Sequence, residues 1–254
     1  MPSRVVEAAL ILSVSLAATI IAFITLTPYL FPQRALSAEA LRDNVETFAA
    51  LLDRGAGKLR LQAKYSVQHS GYSLRVTLRV FEESRDPIWS YEHRLTVPVV
   101  YTPLERAQET TLIRGEPSPY STTGSALIVA EGYALKIVMR PRVQVEDCNY
   151  YGLKCKSVTI SFPRLYVAAG GKVYESSVLT AGQVVDIYIN KSQVLPQEIK
   201  YGLKLEITFE LLPPGSESAW ELVGFPMSRK ISLELDEYGV FLVQYIVNDI
   251  VIKA

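Results

Sequence analysis

The sequence predicts a mainly β protein: a helix long enough to span a membrane, a short amphipathic helix, then an antiparallel β-sandwich. Three observations predict it. No charged residue occurs from Ala8 to Phe31. Beyond Gly57, apolar residues recur at every second position, the period of a strand with one buried face. Turn residues punctuate that pattern, and no alternation of strand and helix appears, which argues against an α/β fold.

The uncharged run comes first. As an α-helix it would extend roughly 36 Å, enough to cross a bilayer core. Its ends are marked by Glu7 on one side and by Pro28 and Pro32 on the other, where a helix kinks or stops. Tyr29 and Phe31 fall where interfacial aromatics belong. A cleaved secretory signal competes with this reading, because Ala35-Leu36-Ser37 is a passable small-x-small cleavage site. The apolar stretch is much longer than the 7–15 residues of a signal core, and Arg4 alone supplies a basic leader. Arg4 before the run and Arg34 after it orient the segment only weakly.

Glu7 is the unusual residue. A carboxylate at the mouth of an apolar helix is costly in lipid unless something neutralises it, although the first turn of a helix favours negative charge. The segment Arg4-Val-Val-Glu7-Ala-Ala-Leu-Ile-Leu resembles the start of archaeal type IV pilin-like proteins. The resemblance covers the first 30 or so residues. It implies that Ser3 is the first mature residue and that Glu7 pairs with a neighbouring subunit's amino terminus during assembly. The basic-Gly pair that precedes the cleavage point in that family is replaced here by Met1-Pro2. The same resemblance implies an amphipathic helical stretch after the apolar one, packed on a β domain.

The amphipathic helix is expected from Ala38 to Arg54. Ser37 is a reasonable N-cap, and Leu41, Val45, Phe48 and Leu52 form one apolar stripe at helical spacing. Gly55 and Gly57 end it. The expected organisation is therefore 1–35 as a transmembrane or filament-core helix, 36–56 as the amphipathic helix, and 57–254 as an extracytoplasmic sandwich. Two tandem sandwiches, split near 102–124 or 141–155, are the alternative.

Strands follow. Leu59 to Val67 and Leu74 to Val80 read as a hairpin around Ser70-Gly71. Further strands are expected at 88–101, 126–131, 134–140, 157–162, 164–168, 172–178, 183–189, 203–211, 230–236 and 240–252. Asp86-Pro87, Gly170-Gly171, Pro213-Pro214-Gly215 and Tyr238-Gly239 supply the breaks. Thr102–Gly124, polar and rich in proline, reads as a long loop. The last strand is nearly continuous apolar from Val240 to Val247, so a central position is expected.

Chemistry is sparse. Lys and Arg together number 26, as do Asp and Glu, and this balance argues against nucleic-acid partners. Cys148 and Cys155 bracket six residues. In an extracytoplasmic domain they read as a disulfide that staples a loop tip and displays Tyr150 and Tyr151 as candidate partner contacts. A zinc site lacks its remaining ligands. Asn190-Lys191-Ser192 is a glycosylation sequon. Gly55-Ala-Gly57-Lys58 fails as a phosphate loop, with Leu52 at the first glycine position and Leu59 at the final Ser/Thr. His69 and His93 are the only histidines, and no nucleophile adjoins His93 in its strand. Glu234, Asp236 and Glu237 read as a solvated strand end or, less readily, a calcium site.

The expectation is a non-catalytic, membrane-anchored cell-surface structural protein of pilin-like organisation, N-terminus inside and C-terminal domain outside, or part of an extracellular filament. Its partners would be the lipid bilayer and like subunits or envelope proteins, met through the N-terminal helix. No cofactor, metal or nucleic acid is expected. A tethered binding or accessory subunit of an envelope or transport complex is the alternative, and an extracytoplasmic enzyme a third reading.

Overall fold

A computed structural model describes residues 38–82, 86–212 and 228–254. The apolar run Ala8–Phe31 and Glu7 lie outside the described residues. Among the described residues, no helix is long and apolar enough to cross a membrane. The described residues are mainly β, with one helix and eleven strands.

Helix α1 is Ala38–Arg54, with the expected bounds. Its apolar stripe is buried: Val45, Phe48, Ala49 and Leu52 are all nearly inaccessible, each large side chain contributing about 1.5–3 kcal/mol by leaving water. The stripe also contains a polar residue that hydropathy passed over. Buried Asn44 accepts from the Tyr65 hydroxyl at 2.7 Å and from the Gln62 amide at 3.2 Å, and its Nδ2 donates to the Arg60 carbonyl at 3.2 Å. One amide thus fixes the helix to the strands that follow it. Gly55 closes the helix with φ +63°, and its N–H donates to the Leu52 carbonyl at 3.2 Å. A side chain there would be strained and would run into Ile189.

The strands are β1 (Ala56–Arg60), β2 (Tyr65–Phe81), β3 (Trp89–Arg114), β4 (Ala126–Met139), β5 (Arg142–Tyr150), β6 (Leu153–Ala169), β7 (Lys172–Tyr174), β8 (Ser177–Leu179), β9 (Val184–Val194), β10 (Glu198–Leu212) and β11 (Ser228–Lys253). They hydrogen-bond in the order β1-β9-β11-β10-β2-β3-β4, with β6 also on β11, β5 and β7 on β6, and β8 on β2. Pairing is antiparallel except between β6 and β11, which run parallel from Val240↔Cys155 to Lys253↔Ala168. β11 is central as expected, flanked by β10, β9 and β6. The compact unit runs from Ala40 to Ala254.

Several expected breaks are not breaks. Ser70-Gly71 does not turn the chain; β2 runs straight through it, and the β2–β3 register shifts between His69 and Ser73 instead. Strands read separately at 126–131 and 134–140 are one strand, β4, with Gly132 at φ +54° absorbing a bulge. Pro163 lies inside β6, and Tyr238-Gly239 inside β11. Residues 102–114 of the expected loop belong to β3. The ladder shifts register at Ser70-Gly71, Gly132 and Gly239, whereas at Pro163 the β6–β11 ladder continues unbroken. A Gly marks a place where the backbone departs from a regular ladder, and a bulge satisfies that as well as a turn does. Local sequence does not distinguish them; the partner strand does.

Two apolar clusters make up the core. In β6, Val158, Ile160 and Phe162 face one apolar cluster, and Leu165 and Val167 face another. The change comes at Pro163. In β11 the first cluster takes Phe241, Val243, Tyr245 and Val247 and the second takes Ile250 and Ile252; opposite Asp249 and Ile250 the extra residue of a register shift lies on β9, at Asn190. In β2 the division falls at the His69/Ser73 shift. β6 and β11 keep continuous register through their change of core; successive residues of a strand face opposite sides, so residues of one parity serve the first core and residues of the other parity serve the second. The core beneath α1 contains Phe48, Tyr65 and Ile137. The other is built from strands alone around Val76, Phe209 and Phe241. β4 lies between them, with Ile128 and Ile137 in the first and Leu127 and Val138 in the second.

Candidate functional site

A cleft of about 440 Å³ lies where β2, β3 and β6 pass from one core to the other. β2 contributes His69, β3 contributes His93 to Pro98, and β6 contributes Phe162 to Tyr166. His93 follows Trp89 and Tyr91 on one face of β3, as the period of two requires. The rings of this face stack, Trp89 on Tyr91 at 6.0 Å and Tyr91 on His93 at 6.3 Å. Phe162 and Tyr245 close on the imidazole at 5.8 and 6.3 Å. Lys200 caps the outer end of the row, its Nζ 4.4 Å above the Trp89 ring, a cation–π contact.

Burial among these rings pushes the His93 pKa below its ordinary value, because the charged imidazolium loses hydration it does not recover. His93 is therefore neutral at pH 7. His69 lies 3.3 Å from a Glu175 carboxylate oxygen. Arg164 is held by Asp249 at 2.7 Å. The cleft thus offers apolar and aromatic walls with two imidazoles and three guanidinium groups, those of Arg94, Arg140 and Arg164, the general make-up of a small-molecule cleft. Among the described residues no serine or cysteine lines it, and no group of three His, Cys, Asp or Glu side chains is placed to hold a metal ion.

Sequence reasoning saw the two histidines and did not bring them together. His93 carried a signal, its place in the Trp89-Tyr91-His93-Leu95 stripe. His69 carried none, because its position depends on the bulge in β2.

The other singled-out residues lie elsewhere. Cys148 and Cys155 face each other across the β5–β6 hairpin and form a disulfide, with their Cα atoms 4.7 Å apart. So short a closed loop contributes about 2–3 kcal/mol by the loop-entropy argument. Tyr150 and Tyr151 follow at the tip with rings edge to face at 4.7 Å, and Tyr151 is 91% exposed. Asn190 is exposed on β9. Glu234 faces Lys204 at 3.7 Å, and Lys154 reaches Asp236 and Glu237 at 3.8 and 3.3 Å. These carboxylates line an interior stretch of β11, and lysines occupy the places a cation would take. Gly55-Ala-Gly57-Lys58 is the helix exit and the start of β1.

No protein family, curated protein or solved structure matches the chain.

Proposed function

We propose that the chain is a membrane-anchored cell-surface structural protein of pilin-like organisation, non-catalytic, with its β body outside the cell. The finer reading of that body is a β-sandwich whose sheet closes around two cores. The observation that carries the proposal is an uncharged 24-residue run, Ala8 to Phe31, followed in the sequence by α1, whose buried face completes a core. Within the body, the parallel β6–β11 pair runs fourteen residues in register and passes through both cores. The Cys148–Cys155 staple suits an oxidising, extracytoplasmic setting.

Glu7 is the assembly residue of this reading, pairing with the amino terminus of a like subunit. Replacing Glu7 with Gln or Ala should abolish incorporation into filaments, seen by electron microscopy of detached surface material, while circular dichroism of the β body stays unchanged. Filaments formed equally well by Glu7→Ala would remove the assembly role.

The seam cleft favours a second reading, a tethered binding or accessory subunit of an envelope complex. On that reading the full chain stays monomeric in the membrane and co-purifies with a dissimilar protein, and substitutions in the cleft, not at Glu7, disrupt the association.

A further inference from the structure

A second cleft, of about 460 Å³, lies where the C-terminal end of α1 meets the ends of β3 and β4. Four arginines line it, Arg54, Arg114, Arg140 and Arg142, against one carboxylate, Asp53. Their convergence has a local cause. Arg140 directly follows β4 and Arg142 opens β5, on either side of Pro141, so the two reach the cleft from adjoining chain. Arg54 and Arg114 arrive from the helix end and from the last residue of β3.

The donors divide into those already committed and those left over. Arg114 donates to the Glu46 carbonyl at 3.3 Å and to Asp53 at 3.4 Å. Asp53 also accepts from the Ala126 amide at 2.7 Å, so its acceptor capacity is largely taken. Arg140 is 3% exposed, and its Nη1 donates to the Glu116 and Ser118 carbonyls at 2.5 and 2.6 Å. Its Nε is buried without a partner, as is the Nε of Arg142. Among the described residues neither of these two arginines, nor Arg54, has a carboxylate within ion-pair distance. A buried guanidinium with a stranded N–H is costly, and the cost is recovered when an anion accepts from it.

We propose that this cleft binds a small oxyanion, the phosphate or sulfate group of a compact solute, held by Arg140 and Arg142 with Arg54 at the mouth. A tetrahedral oxyanion presents several acceptors at once, which matches convergent guanidinium groups better than chloride does. The Thr123 hydroxyl stands at the rim and adds one neutral donor. Asp53 orients Arg114 and limits how much negative charge the cleft accepts.

The test uses the full chain in detergent, with inorganic phosphate and inorganic sulfate as probes and sodium chloride at matched ionic strength as control. Isothermal titration and the thermal midpoint are read together. Saturable phosphate or sulfate binding that chloride does not reproduce is expected. Arg142→Gln, at a half-buried position, should weaken it roughly tenfold, the loss of a charge-assisted contact. Thr123→Glu, at an exposed position, should place a competing carboxylate at the mouth and abolish it. Both variants should keep the wild-type circular dichroism spectrum, so loss of binding is not loss of fold. Equal stabilisation by chloride would reduce the effect to general screening and overturn the proposal. Undiminished phosphate binding by both variants would overturn it as well.

Discussion

The core beneath α1 and the core around Phe209 share β2, β3, β4, β6 and β11, yet one is closed by a helix and the other by strands alone. The helix-closed core depends on a polar clamp, with buried Asn44 joined to Tyr65, Gln62 and Arg60. The strand-closed core depends on an aromatic row, Trp89-Tyr91-His93 with Phe162 and Tyr245. A helix meets a sheet through one stripe, so its rotation and register need a directional bond. Strands already carry a hydrogen-bonded ladder that fixes their register, and apolar rings suffice to seal them.

The largest effect tests whether the two cores are one cooperative unit. Phe48→Ala in the first and Phe209→Ala in the second should each cost about 3–5 kcal/mol. Both should lower one shared denaturation transition, followed by circular dichroism and tryptophan fluorescence, because β2, β6 and β11 pass through both cores. Two separated transitions would break the single-unit account and leave the cores as independent lobes.

A smaller effect addresses the clamp. Asn44→Ala strands the Tyr65 hydroxyl and the Gln62 amide, at a cost of about 1–3 kcal/mol. The Asn44→Ala/Tyr65→Phe pair should be less destabilised than the sum of the single changes, since the second change removes one stranded group. Additivity in that cycle would show that the clamp is not a coupled unit.

The smallest effect concerns the aromatic row. The folded chain holds His93 below its ordinary pKa of 6.5 through burial, so the unfolded chain binds the extra proton more readily. The stability tied to neutral His93 is therefore complete above 6.5. It is lost as pH falls from there toward the folded-state value. His93→Phe should flatten this part of the pH–stability curve, measured by urea midpoints, and leave stability near neutrality almost unchanged. An unaltered acid limb would place the sensitivity on other groups.

Much of this was legible beforehand. The bounds of α1 followed from Ser37, the Leu41–Leu52 stripe and Gly55. The cysteine pairing followed from spacing, and the central place of β11 from its unbroken apolar run. The clefts were not legible. Arg114, Arg140 and Arg142 are far from Arg54 along the chain, and their meeting depends on how β3 and β4 end against the helix. His69 entered the seam only through a bulge.

The sequence by itself determined the periods: 3.6 residues in α1, two in the strands, and a long uncharged run before them. Periodicity is local, set by which side of an element meets water, and each residue's neighbours suffice to reveal it. Only the tertiary structure decided what Ser70-Gly71, Gly132, Pro163 and Gly239 do. Each permits either a turn or a continuing strand, and the choice is made by the strand alongside, many residues away, whose hydrogen bonds are kept by continuing the ladder. That choice turned short hairpins into long strands that serve two cores, with the seam cleft between them.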